Sequence, residues 1–187
     1  MSVKEIIQKR RAFRSLEKIP VTGEIIEDLA FHASLAPSCF NHQPWEYVFV
    51  HDKEVLEKMH AALSKGNEWA RSSSMIIAVV SKREKDCQMK DGREYFYFDV
   101  GSSTAFLVLR ATEMGLVAHP IAGYDQNKVK KILNIPEDMT VVTLVIVGKH
   151  SSEINQLLSE DQKKNERERP PRKPLGEFAF INKYLKK

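Results

Sequence analysis

The chain has 187 residues, 42% hydrophobic and 29% charged, with 29 Lys and Arg against 25 Asp and Glu for a formal net charge of +4. That length and balance predict one ordinary domain over residues 1–187, with a core that needs no cross-links, and exclude fibrous and disordered classes. Two cysteines, Cys39 and Cys87, are too few for a disulfide scaffold or a four-cysteine zinc site. No apolar run approaches the roughly 18 residues of a membrane span, and the start turns polar too early for a secretory signal, so a cytoplasmic location away from membranes is expected.

In chain order, Ser2 is a plausible N-cap for a short helix with Val3, Ile6 and Ile7 on one face. Arg10, Arg11 and Arg14 follow at or beyond its end. Thr22 can cap a second helix carrying Ile25, Ile26, Leu29, Ala30 and Ala33 at helical spacing. Pro37 opens a polar loop that runs to Pro44, and the aromatic, β-branched stretch from Trp45 to Val50 reads as a strand. Residues 53–63 form an amphipathic helix and Met75–Val80 a buried strand. A long apolar helix from about Glu94 to Met114, stopped at Gly115, must be buried on several sides.

Leu116 to Gly123 reads as a short strand entering a Pro/Gly loop, residues 126–133 as a short helix, and Val141–Val147 as the strongest strand. Residues 150–174 lack periodicity and hold three prolines, which predicts an extended arm continuing to the end of the chain. Phe178–Ile181 could be a terminal strand, but one that needs a partner to pair with. Irregularly spaced strands among helices argue an α+β sheet.

The charge is clustered. Residues 1–14 hold Lys4, Lys9, Arg10, Arg11 and Arg14 against Glu5, and residues 163–173 hold Lys163, Lys164, Arg167, Arg169, Arg172 and Lys173 against Glu166 and Glu168. The rest of the chain is acidic. A nucleic-acid surface spreads its charge along a face or stripe, whereas two short clusters suit one phosphate gripped from both ends of the sequence. The bland reading is solvated ends, with Lys163–Arg167 as plain solvated arm.

Glycine-rich nucleotide signatures and His-Glu-x-x-His pairs are absent, and no metal ligand set is recognisable. Cys39 and His42 lie three apart in one loop, a poor arrangement for nucleophile and base; Cys39 more plainly lines whatever site the loop forms. Asp99, in the long apolar helix, reads as a hydrogen-bonded structural carboxylate. Three segments could each bind a ligand or be structural: Arg10-Arg11-Ala12-Phe13-Arg14, Ala36-Pro37-Ser38-Cys39-Phe40-Asn41-His42-Gln43-Pro44-Trp45, and His119-Pro120-Ile121-Ala122-Gly123.

Taken together and in this order, the three segments resemble the motifs of the nitroreductase family of FMN enzymes, over nearly the whole chain. The Pro37-Ser38…Asn41…Gln43-Pro44-Trp45 loop is the most specific match; Asp99-Val100-Gly101 and Arg172-Lys173-Pro174-Leu175 resemble further family segments. The resemblance implies an α+β fold with a mostly antiparallel central sheet flanked by helices. It also implies a homodimer with FMN in the interface and a C-terminal arm, residues 150–187, wrapped on the partner. Arg10, Arg11 and Arg14 would hold the phosphate and ribityl chain, joined by Arg172 and by Lys173 or Arg169. Ser38 and Asn41 would reach the flavin from the partner subunit, in a loop that includes Pro37, Cys39 and Gln43. Ala122 and Gly123, after Pro120 and Ile121, would sit near the flavin N5, and Asn67 at the ring's polar edge. Ala12 stands where the family usually has Ser. The implied activity is hydride transfer from NAD(P)H through FMN to nitroaromatic, quinone or similar acceptors, with no side chain assigned as catalyst. The alternatives are a flavin protein of the same fold with other chemistry, such as reductive dehalogenation or flavin fragmentation, or one without turnover.

Overall fold

The computed structural model describes residues 1–184. Helix α1 (Val3–Lys9) begins at Ser2, whose hydroxyl accepts from Glu5 N–H while the Glu5 carboxylate accepts from Ser2 N–H. This reciprocal cap satisfies two of the free donors at the helix start. A two-residue strand β1 (Leu16–Glu17) follows, then α2 (Gly23–Ser34), capped by Thr22, and β2 (Glu46–Val50). Next come α3 (Lys53–His60), β3 (Met75–Ser81) and the long α4 (Phe96–Glu113). The chain continues with β4 (Leu116–Ile121), α5 (Gln126–Leu133), β5 (Thr140–His150) and α6 (Glu160–Arg167).

The fold is α+β, built on a five-stranded antiparallel sheet. β2 pairs with β3 and β3 with β5, while β4 takes the other edge of β5. β1 joins the C-terminal end of β5 through Leu16 opposite His150. Because side chains alternate along a strand, β3 and β5 feed two cores. Ile76, Ala78, Val80, Leu144 and Ile146 pack with Leu56, Met59, Trp69 and Val129 on one face. Met75, Ile77, Val79, Val145 and Val147 pack with Leu29, Phe96, Val100, Leu107 and Ala111 on the other. Every residue of β3 is buried, so its unbroken apolar run reflects helices on both faces.

One expectation is corrected. Residues 150–174 are not structureless, because α6 lies within them, capped by Ser159 and Gln162. Within a single chain Phe178–Ile181, the segment expected to need a pairing partner, forms no strand; a 3₁₀ turn at Leu175–Glu177 precedes it. Helix α4 is buried on several sides as expected, but Tyr97, Phe98 and Phe106 are exposed, as are Val3 and Ile7 on α1 and Phe31 on α2. Among the described residues no helix is long and apolar enough to cross a membrane.

Candidate functional site

The segment after α1 is anchored by α6. Glu166, buried, accepts Arg14 N–H at 2.6 Å and Ser15 N–H at 3.1 Å. Arg11 donates to the carbonyls of Asn165 (2.7 Å) and Glu166 (3.2 Å), which end α6 without helical partners. Its guanidinium also lies 4.4 Å from the Phe13 ring centre. Arg169 donates to the carbonyls of Gln8 (2.6 Å) and Arg10 (2.9 Å). The two basic clusters, remote in sequence, therefore meet.

What remains at that meeting point is unneutralised positive charge. Arg10 and Arg14 are partly buried, and no carboxylate forms an ion pair with Arg10, Arg14, Arg169 or Arg172 among the described residues. Burial, then the neighbouring Arg169 and Arg172 charges, hold the Arg10 pKa below its ordinary value. Burial also lowers that of Arg14, with the Glu166 carboxylate pulling the other way. Guanidinium groups crowded together without a counter-anion raise the free energy of the unliganded protein, and an anion with several oxygens relieves that cost. Ala12 and Lys173 are exposed beside this cluster in sequence.

The floor next to it is aromatic. Trp69, 1% exposed, stacks on His119 with ring centres 4.8 Å apart, and the Arg14 guanidinium lies 5.9 Å from the Trp69 ring centre. His119 Nδ1 is 3.1 Å from the Phe13 carbonyl oxygen, which can only accept, so Nδ1 carries the proton. Burial pushes the His119 pKa down to about 4. An unfolded His binds its proton near 6.5, before the folded one does, so stability is full above about pH 6.5 and falls as pH drops toward 4. This group alone removes up to about 3 kcal/mol over that window. In urea unfolding at pH 7 and pH 4.5, His119→Asn, which keeps a donor near Nδ1, is expected to show a smaller acid loss than the parent chain.

Gly123 closes this group. Its carbonyl accepts from Ser64 N–H and from Asn67 Nδ2, each at 3.0 Å. A Cβ at position 123 would stand 2.5 Å from Asn67 Nδ2, so glycine is what lets Asn67 pack there. Ala122 is exposed, and no hydrogen bond to the N–H of Ala122 or Gly123 is present among the described residues. Pro120 is exposed at the edge of β4 and Ile121 turns into the core.

The Pro37–Gln43 loop forms a second group, with no hydrogen bond to the first among the described residues. Phe40, Asn41 and Gln43 all have left-handed backbone (φ 46°, 60° and 50°), an arrangement that costs of order 1 kcal/mol or more per residue and collects at functional sites. Ser38 Oγ accepts Gln43 N–H at 3.0 Å, and Gln43 Nε2 donates to the Asn41 carbonyl at 3.3 Å. Asn41 is exposed, and Phe40 projects into solvent at 89% exposure. Asp99 is structural, as read from the sequence: buried, it accepts Cys39 N–H at 2.7 Å. Burial and the neighbouring Asp86 raise its pKa, against that hydrogen bond. Cys39 does more than line the loop, for it is disulfide-bonded to Cys87. Two cysteines make no scaffold, but these pair across 48 positions and fasten the loop to the connection after β3.

The nitroreductase family profile matches residues 7–71 and 64–149. The chain belongs to this family. It is 27% identical to MhqN of Bacillus subtilis (strain 168), named provisionally as an NAD(P)H nitroreductase, over 92% of this chain and 94% of that protein. It is also 27% identical to an iodotyrosine deiodinase of Haliscomenobacter hydrossis, over 77% of each. A solved structure described as an oxidoreductase containing FMN superposes with a TM-score of 0.85 at 25% identity, covering 100% of this chain and 95% of that one. Membership makes this chain an oxidoreductase and fixes the fold.

Within this nitroreductase-family chain, Arg11 is largely committed to α6, while the side chains of Arg10 and Arg14 make no hydrogen bond or ion pair among the described residues. Lys163–Arg167 is not plain solvated arm: it is the body of α6, with Lys163 paired to Glu160 at 2.8 Å. Sequence reasoning passed over Glu166 and Trp69 as site-builders, and counted His119 only as the first residue of the loop that ends at Gly123. The Ser159-x-x-Gln162 capping pattern was the available signal for the helix that carries Glu166.

Proposed function

We propose that this protein is an FMN-dependent oxidoreductase that takes a hydride from NAD(P)H and passes electrons to nitroaromatic, quinone or similar small acceptors in a ping-pong cycle. The observation that carries the reading is the cluster of Arg10, Arg14, Arg169 and Arg172 with no carboxylate partner, beside a small-residue loop. Its fit to a phosphate-bearing cofactor rests on guanidinium charge that makes no ion pair among the described residues and is offset only in part, by Glu166 near Arg14. When bound, FMN would supply hydride transfer at N5, chemistry that no side chain of this protein provides. Arg10, Arg14 and Arg172 would hold the phosphate, with Arg11 and Arg169 fixing the backbone that presents them. Ala122 and Gly123 would offer N–H donors to the ring, and Asn67 its side-chain amide. Neutral His119 keeps further positive charge out of the floor.

The exposed apolar side chains of α1, α2 and α4 support a homodimer through that face. In that assembly Ser38, Asn41 and the exposed Phe40 would complete the partner's site, and the arm after β5 would lie on the partner. The deiodinase relative keeps reductive dehalogenation as the alternative chemistry at the same site. The phosphate-gripping role has a direct test: by fluorescence titration FMN is expected to bind at least about 100-fold tighter than riboflavin, since several charge-assisted bonds are lost with the phosphate. Equal affinities would count against it.

A further inference from the structure

Apart from the arginine cluster, four side chains with metal-ligand chemistry meet under the Pro37–Gln43 loop. The Cys39 and Cys87 sulfurs and an Asp86 carboxylate oxygen lie within 4.8 Å of one another. His42 Nδ1 is 3.8 Å from Cys87 Sγ and 3.5 Å from Asp86 Oδ1. The Asp86 side chain is 0% exposed; its Oδ1 accepts Cys87 N–H at 2.8 Å, and its Oδ2 has no hydrogen-bond partner. The buried Asp99 carboxyl group also lies against Asp86, and two buried carboxyl groups side by side require a shared proton or a cation. We propose that Cys39, His42, Asp86 and Cys87 form a tetrahedral Zn²⁺ site once the cysteine pair is reduced.

The distances suit such a centre. Ligands at about 2.0–2.3 Å from one tetrahedral zinc stand about 3.3–3.8 Å from each other, as His42 already does from Cys87 and Asp86. The two sulfurs must separate, from bonded to about 3.8 Å, and the Asp86 oxygen, within 4.8 Å of both, must settle at a similar distance from each. Two thiolates and an imidazole select zinc over magnesium or calcium. The reaction balances with a dithiol reductant: two electrons and two protons pass to the sulfurs as the S–S bond breaks, and the dithiol closes to its own disulfide. Zn²⁺ then releases both thiol protons to water and takes two thiolates, the neutral imidazole and the carboxylate. The loop thus stays fastened to the connection after β3 in oxidising and reducing surroundings alike, by the disulfide in one and the metal in the other. The inference does not depend on what the loop binds.

The test uses the full-length chain, either oxidised or reduced with an immobilised dithiol and filtered without oxygen. Each is titrated with Co²⁺ as a zinc probe and then Zn²⁺, with spectra taken as differences from the same sample before metal. The expected result for the reduced chain is one Co²⁺ per chain, with the strong visible bands of tetrahedral cobalt and thiolate charge-transfer bands, displaced by one equivalent of Zn²⁺. The oxidised chain is expected to show neither. Cys87→Ser should lose much of the charge-transfer intensity, and Asp86→Asn should weaken binding while leaving both thiolates to report. Weak octahedral bands, or identical spectra from oxidised and reduced protein, would overturn the proposal without recourse to any variant.

Discussion

Replacing Arg10 with alanine is expected to weaken FMN binding by about 1.5–3 kcal/mol, roughly 10- to 150-fold, the value of a charge-assisted bond to phosphate in a partly buried site. The same change should leave the FMN-free chain as stable or slightly more stable, because it removes a cation that Arg169 and Arg172 repel. That pairing of effects separates a ligand-binding arginine from a structural one. Arg11→Ala gives the contrasting pattern: it strips the bonds to Asn165 and Glu166 at the end of α6, and should destabilise the free chain. Isothermal titration with FMN alongside thermal unfolding of the free chain measures both quantities. A stable Arg10→Ala protein with unchanged FMN affinity would remove Arg10 from the phosphate site.

The second large effect lies at Trp69. Trp69→Ala should cost about 3–5 kcal/mol, because it empties a fully buried indole stacked on His119 of β4. Trp69→Phe should cost much less, since the indole Nε1 has no hydrogen-bond partner to lose. Arg14 lies over the same ring, so alanine should also weaken FMN binding while phenylalanine largely preserves it. Urea unfolding of the three proteins checks the order. A phenylalanine variant as unstable as the alanine one would mean that the indole edge makes a contact this account lacks.

Much of this architecture is legible in the sequence because burial leaves a period there. β3 and β5 stand out as apolar runs since both their faces are covered, and Ser2 and Thr22 mark helix starts because a hydroxyl must meet free N–H groups. α6 leaves no such trace: Glu160–Arg167 is entirely polar or charged and buries only Glu166, so apolar spacing cannot reveal it. Its role is carried by one carboxylate and two terminal carbonyls. The Cys39–Cys87 pairing is equally invisible, because a separation of 48 residues says nothing about which loops the sheet brings together. The Pro37–Trp45 and Pro120–Gly123 segments are readable as functional only jointly, through the family they resemble. What the fold adds is the separation between them: the arginine cluster, Trp69 and Gly123 form one group, and the strained Pro37–Gln43 loop another.

The central claim is that electrons from NAD(P)H enter through flavin held at the arginine cluster. An anaerobic titration of the FMN-loaded protein with NADPH and, separately, NADH, followed in the flavin's visible band, tests it most directly. At least one nicotinamide is expected to bleach the band with one equivalent per flavin, and a quinone or nitroaromatic added afterwards should restore it. A yellow protein that neither nicotinamide bleaches would contradict the claim.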